Sequence, residues 1–328
     1  MRGNLGIMKK YFVTGGAGFI GSHLVRTILN EEDAIVTVYD NFSSGRMWHL
    51  EDIRDKNKLE IIEGDIKDFE KLKNVMEGAE IVYHFASNPD IAKAATQPDV
   101  DFWDGTYLTN NVLEAARLNG VKKFLYSSGS GVYGDTDHTE VSEDYSPMLP
   151  ISTYGASKLA CEALICSYCH MFDMNAAAFR FANVVGPRQT HGVGYDFVRK
   201  LMKKSDELYI LGDGKQSKSY IYVTDVISAM RLIEKNSLKG YSYYNVATRD
   251  YITVTEIADI VTEVMGLENV KYVYSGGDRG WKGDVPVVRL NSDKIRRLGW
   301  SNRYTSREAV YNSVKSIFED AKKNRFEI

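Results

Sequence analysis

A short β-rich run, Lys10–Thr14, leads directly into Gly15-Gly16-Ala17-Gly18-Phe19-Ile20-Gly21, after which Ser22-His23-Leu24 opens a helical pattern. Glycines let the backbone turn sharply and come close to a pyrophosphate, whose charge then faces the positive end of the helix. The strand before, the helix after and the early position separate this run from an ordinary glycine turn. The second strand ends at Asp40, about 20 residues further on, where a carboxylate can receive the 2′-hydroxyl of an adenosine ribose. A carboxylate there repels a 2′-phosphate, so NAD is the expected cofactor rather than NADP. Capping of the following turn is the competing use of Asp40. Asp65-Ile66, closing a third strand, falls where the adenine edge would lie.

The first half of the chain continues the alternation. Candidate strands are Lys10–Thr14, Ile35–Tyr39, Leu59–Glu63, Ile81–Phe85, Lys123–Ser127 and Asn175–Phe181. Helical spacing fills Gly21–Asn30, Phe69–Glu77, Thr109–Asn119 and Tyr154–Phe172 between them. Continuous apolar strands separated by helices imply a doubly wound parallel sheet, the Rossmann arrangement, covered on both faces. After Arg180 the elements shorten and turn signals multiply at Gly186-Pro187, Gly212-Asp213-Gly214 and Gly276-Gly277. The expected organisation is an NAD-binding domain over residues 8–183, to which part of 223–248 returns, and a smaller mixed α/β substrate domain over 184–328.

Composition removes several alternatives. A net charge of −3 over 328 residues provides no general field for nucleic acid or an anionic membrane surface. No run reaches the ~18 apolar residues of a membrane span, and Met1–Lys9 lacks the apolar stretch of a signal peptide. Three cysteines read as thiols of a reducing compartment, so the expected location is the cytoplasm. Cys166-x-x-Cys169 sits inside a helical pattern with no second pair, which favours a packing role over a metal site. His84, in an apolar strand, reads as a core histidine.

Tyr154-Gly155-Ala156-Ser157-Lys158 opens the longest helical stretch and sets a phenol and an ammonium four residues apart on one face. An ammonium beside a phenol favours phenolate, which makes Tyr154 a candidate base. Motifs from Thr14 to Trp300 then follow in order: Tyr39-Asp40-Asn41, Gly64-Asp65, His84-Phe85-Ala86, Ser127 to Gly134, Tyr154 to Lys158, Arg180 to Arg188, Ser219 to Asp225, Tyr244-Asn245-Val246 and Arg279 to Pro286. Together they resemble the extended short-chain dehydrogenase/reductases, the NAD-dependent epimerase/dehydratase group, and within it the UDP-glucose 4-epimerases of archaeal type.

The resemblance implies retained NAD, a UDP-sugar substrate, a transient 4-keto sugar and a homodimer built on the helices Thr109–Asn119 and Tyr154–Phe172. It places the cofactor on Gly15, Gly18, Phe19, Ile20, Gly21, Asp40, Asn41, Ser44, Gly45, Asp65, Ile66, Phe85, Ala86, Ser87, Tyr154 and Lys158. It places the nucleotide sugar on Asn183, Gly192, Val193, Tyr209, Lys218, Arg279 and Val288. Departures from the pattern carry information. Gly129 stands where the family has the hydroxyl partner of the tyrosine, leaving Ser128 and Ser130 as substitutes. Lys218 replaces an arginine, and Trp281 replaces another, with Arg279 and Lys282 as nearby cations. Pro89 replaces a lysine often found at the cofactor ribose. Val288 occupies a position where a tyrosine accompanies restriction to plain hexoses. Dehydratases and decarboxylases of the group carry an acid where Ser130 and Gly131 stand, which favours epimerisation. A lyase and a non-catalytic NAD-binding sensor are the competing readings, and intact Tyr154 and Lys158 speak against the sensor.

Overall fold

The computed structural model describes residues 8–325, apart from Arg54, Ser237 and Lys282. Strands β1 (Lys9–Thr14), β2 (Ala34–Asp40), β3 (Leu59–Glu63), β4 (Ile81–His84), β5 (Lys123–Gly129) and β6 (Ala176–Phe181) alternate with helices α1 (Phe19–Glu31), α2 (Phe69–Val75), α3 (Leu108–Leu118) and α4 (Thr153–Phe172). The chain then builds β7 (Asn183–Val185), α5 (Val193–Lys203), β8 (Glu207–Ile210), β9 (Ser217–Lys218) and β10 (Tyr220–Tyr222). It returns through α6 (Val223–Lys235) to β11 (Tyr241–Val246), which pairs with β6. The resulting seven-stranded parallel sheet has the order β11-β6-β5-β4-β1-β2-β3. Strand order reverses between β1 and β4, and a crevice opens beyond their carboxyl ends.

Successive residues of a strand serve opposite faces, and β6 shows the consequence. Ala177 and Phe179 join the core under α1 and α6, while Ala176 and Ala178 join the core under α2, α3 and α4. Every residue of β6 is buried. That two-sided burial explains why the strands read as continuous apolar runs instead of alternating ones.

A third core belongs to the smaller part of the molecule. Phe197 and Leu201 of α5 and Leu208 and Ile210 of β8 pack with residues of two later helices. Those helices are α7 (Val254–Met265) and α9 (Ser306–Lys322), which follow β12 (Ile252–Thr253) and the short α8 (Asp293–Arg296) respectively. Small sheets complete it: β7 with β10, β8 with β13 (Lys271–Tyr274), and β9 between β12 and β14 (Val287–Val288).

Two features differ from the expected organisation. Leu290, Ile295 and Trp300 pack into the sheet's own core, so chain beyond residue 248 also returns to the first part. The Trp300 indole fixes that return by donating to Asp225 O and Ser228 Oγ, both at 3.0 Å. A π-helical turn, Phe102–Tyr107, leads into α3, and its five-residue hydrogen bonding breaks the 3.6 spacing that marks a helix in sequence. Among the described residues no helix is long and apolar enough to cross a membrane.

Three histidines are held neutral by the packing. His84 and His49 are fully buried; His84 lies between the hydroxyls of Thr14 (2.6 Å) and Thr109 (3.0 Å). Thr109 also donates to Gly105 O, so it accepts from His84 Nε2, leaving Nδ1 to accept from Thr14. Burial, reinforced by Lys158, pushes His84 down to about 3. Burial takes His49 and His23 down to about 4, with neighbouring arginines adding to the effect. The unfolded chain binds protons at these residues near 6.5, so between about 4 and 6.5 unfolding takes up protons and stability rises with pH. The melting temperature should therefore fall as pH drops through that window; a constant value across it would contradict the neutral assignment.

Candidate active site

The crevice holds a cavity of about 760 Å³ running from the glycine turn to β14. Close backbone approach shapes its floor. Gly15 has φ +68°, and a Cβ there would stand 2.8 Å from Ala86 N on the loop after β4. A Cβ on Gly21 would run into the Gly15 carbonyl oxygen, so α1 could not seat against β1. The N-terminal cap of α1 is Gly18, with no side chain bonded to the first N–H groups. Those donors face the crevice, as an anion-binding helix end requires.

Asp40 ends β2 beside this turn, and its carboxylate accepts from Ala17 N and Phe42 N, both at 2.9 Å. Burial raises its pKa, while the two N–H groups and Arg46 act against the shift. A carboxylate has about four acceptor positions, so the two N–H groups leave capacity for a ribose hydroxyl. The cavity lining takes in Gly15, Gly18, Phe19, Ile20, Gly21, Asp40, Asn41, Ser44, Asp65, Ile66, Phe85, Ala86 and Ser87. Gly45 is the exception. It does not line the cavity but lies under the Asp40 carboxylate, where a Cβ would come within 2.8 Å of Oδ1. The cradle, the helix end and the acid on β2 fit a dinucleotide without a 2′-phosphate.

At the other end of the cavity α4 presents its first turn. Ser152 Oγ caps it by accepting from Gly155 N (3.1 Å), which sets Tyr154 at the opening. One turn on, Lys158 is buried, donates to Ser127 O (2.8 Å), and holds its ammonium 5.5 Å from the Tyr154 ring. Ser128 and Ser130 differ in what their hydroxyls can do. Ser128 Oγ donates to the buried carboxylate of Glu162 at 2.5 Å, which commits its proton away from the cavity. Ser128 also lines the cavity, but while this contact holds it has no proton to offer a ligand there. Ser130 opens the 3₁₀ turn Ser130–Tyr133 and lines the cavity, half-buried.

The substrate-side residues divide in the same way. Asn183, Gly192, Val193, Lys218 and Val288 all line the cavity. Gly192 caps α5 with no side-chain bond, offering a second free helix end. Lys218 Nζ pairs with Asp284 Oδ1 at 2.6 Å. Tyr209 is displaced from the expected role. On β8 the alternation buries Leu208 and Ile210 and turns Tyr209 outward, 48 % exposed and away from the cavity. Arg279 is also outside the lining; it pairs with Asp135 (2.7 Å) and donates to Asp284 O (2.6 Å), bracing the loop instead of facing a ligand. Lys282 lies outside the described residues. Trp281, Asn88 and Asp104 line the cavity without having been assigned to it. Only Trp281 carried a signal, as the aromatic residue in an arginine's place.

Fold and site together define a dinucleotide-dependent enzyme with a tyrosine–lysine pair at the reacting end. The chain matches the NAD dependent epimerase/dehydratase family over residues 11–247 and belongs to it. It is similar to a crystallised UDP-galactose 4-epimerase, 37% identical with a TM-score of 0.83, covering 96% of this chain and 99% of that one. A UDP-glucose 4-epimerase of Mycolicibacterium smegmatis is 30% identical over 92% of this chain and 96% of its own length. The human dTDP-D-glucose 4,6-dehydratase is 28% identical over 94% and 90% respectively.

Replacing Asp40 by Ala removes a charged acceptor and should weaken NAD binding about 10- to 100-fold, measured by calorimetry on cofactor-stripped protein. Unchanged affinity would separate Asp40 from the ribose.

Proposed function

We propose that this chain is a UDP-hexose 4-epimerase acting through a transient 4-keto sugar, as a homodimer in the cytoplasm. The observation that carries the reading is the Tyr154–Lys158 pair at the cavity's reacting end, with Ser130 and Gly131 lining the cavity there. The carboxylates among the lining residues are Asp40, Asp65, Asp104 and Asp284. Asp40 serves the cofactor end; Asp104 is paired with Lys67 and Asp284 with Lys218. Ser130 and Gly131 fill the place where a dehydratase needs its acid, which favours epimerisation over loss of water.

NAD, when bound, supplies a hydride acceptor that can return what it takes. The chain's own groups do the rest. Tyr154 removes the proton of the sugar 4-hydroxyl and gives it back after the sugar has turned over. Lys158, fixed on Ser127 O, keeps positive charge beside the phenol. Asn183, Lys218 and the α5 helix end hold the diphosphate, which anchors the nucleotide while the sugar ring turns. Phe102, Trp103, Leu118, Met171 and Phe172, exposed at the ends of the α3 and α4 region, support a second copy as the partner of that face.

Val288 stands on the cavity wall, where valine in place of an aromatic ring leaves room for an acetamide. UDP-glucose and UDP-N-acetylglucosamine should therefore both be converted to their 4-epimers, followed by NMR with conserved mass. Tyr154→Phe should lower both rates by ~10²–10⁴, and Val288→Tyr should suppress only the N-acetyl reaction. Loss of water from the substrate would replace this reading with the lyase; no conversion would replace it with the sensor.

Ser130 takes the hydroxyl role in this reading, and Gly129 offers a direct check. Its backbone is extended (φ −159°), and a Cβ there meets nothing within 4 Å. Ser130→Ala should cost about 10- to 100-fold in kcat, and adding Gly129→Ser should recover most of it. A Ser130→Ala enzyme with full turnover would remove Ser130 from the chemistry.

A further inference from the structure

The reacting corner is built on a weak point. Strand β5 ends at Gly129, the residue with the greatest backbone freedom, and the next residue is Ser130 at the opening of the cavity. What holds that corner is a buried network centred on Glu162 and Arg180, neither of which lines the cavity.

Tyr154, Lys158 and Glu162 lie one turn apart on the same stripe of α4, and each turn grips the end of β5 differently. Lys158 Nζ takes Ser127 O at 2.8 Å, and Glu162 Oε1 takes the Ser128 hydroxyl at 2.5 Å. Beyond the corner, Gly155 and Gly131 bring backbone against backbone, so close that a Cβ on Gly155 would strike the Gly131 carbonyl. The Gly129–Ser130 link is therefore clamped upstream through Ser128 and downstream through Gly131.

Glu162 is itself immobilised. Arg180 is the register partner of Ser128 on the adjacent strand β6. Its guanidinium meets the carboxylate through Nε (3.0 and 3.1 Å) and Nη2 (2.7 Å). Nη1 donates to Tyr133 OH (2.9 Å) and Glu143 O (3.0 Å), and the group lies between the Tyr133 and Tyr243 rings at 5.0 and 4.7 Å. Tyr133 OH donates in turn to Asn245 Oδ1 at 2.7 Å. The ion-pair partners are 3 % and 4 % exposed. A hydrophobic pair of similar volume would often serve stability as well as such an ion pair; it could not, however, reach out to a serine and fix a strand end.

We propose that Glu162 is a positioning residue: clamped by Arg180, it fixes Ser128 and so holds the Gly129–Ser130 corner in register with Tyr154. The activity arm of the test rests on the epimerase reading; the structural arm does not. Ser128→Ala removes one hydroxyl and leaves the Glu162–Arg180 pair intact, so folding is preserved. Amide hydrogen exchange in a peptide spanning residues 127–133 should quicken at least about 10-fold, with NAD content unchanged and the melting temperature lowered by only a few degrees. On UDP-glucose, kcat should fall about 10-fold with KM unmoved, since small misplacement near a reacting centre costs rate more than binding. Ser128→Thr, which keeps the hydroxyl, should restore exchange and kcat together. Glu162→Gln should repeat the pattern more strongly wherever it folds.

Unaltered exchange in Ser128→Ala would overturn the proposal whatever the substrate. So would faster exchange with unchanged kcat, or a kcat loss matched by lost cofactor and a far lower melting temperature. A wild-type protein inactive on UDP-hexoses overturns the epimerase reading alone, and the exchange result then still decides the role of Glu162.

Discussion

The reversal of strand order between β1 and β4 governs the rest of the molecule. Helices leaving the two strands go to opposite faces of the sheet, so nothing covers the carboxyl ends at that point and a crevice is left. The glycines matter because three pieces of backbone meet there. β1, the start of α1 and the loop after β4 approach within contact distance at Gly15 and Gly21, where side chains have no room. Anion-binding N–H groups, the Asp40 carboxylate and the Tyr154–Lys158 pair are all placed relative to that meeting. Burial of the sheet on both sides gives the site its rigidity, since β6 and the neighbouring strands cannot shift without opening two cores.

Most of this was legible in the sequence because it rests on local pattern. Strand and helix positions follow hydrophobic period, and the cofactor end follows a glycine spacing that only one backbone geometry explains. What escaped was tertiary. Tyr209 looked like a ligand until strand alternation committed its neighbours Leu208 and Ile210 to the core and turned it outward. Gly45 supports Asp40 from beneath, a relation across the β2 turn that no spacing rule reports. The π-helical turn at Phe102–Tyr107 hid because its period is not 3.6, and Leu290 and Trp300 hid because their partners are about 70 or more residues away in sequence. Glu162 was unreadable for another reason. A glutamate in a helix is ordinary, and only the arrival of Arg180 and Ser128 from two adjacent strands makes it unusual.

Under the epimerase reading, Gly129 stands where the family resemblance leads one to expect a hydroxyl. Losing the hydroxyl at that position removes a hydrogen-bond donor and loosens the backbone at the same time. The two deficits have different remedies. Ser130, one residue on and facing the cavity, can supply a hydroxyl, while the Glu162–Ser128 contact restrains the chain just upstream. Ser128 cannot do both jobs, because a proton donated to a buried carboxylate is not available to a sugar oxygen.

The diphosphate end poses the same question in electrostatic form. An arginine binds a phosphate through a planar fork, whereas a lysine is a compact point charge. Lys218 and Trp281 stand where the family resemblance leads one to expect arginines, Arg279 is turned to Asp135, and Lys218 is already paired with Asp284. Side-chain charge alone is therefore a poor account of how a diphosphate would be held. The N-terminus of α5, capped by Gly192 with no side-chain hydrogen bond, supplies directional N–H donors and a partial positive charge of roughly half a unit. Because those donors belong to a helix packed into the third core through Phe197 and Leu201, they are fixed in place before a ligand arrives. A rigid helix end, with Lys218 as the one added cation, would anchor the nucleotide firmly at its phosphates while leaving the sugar free to turn.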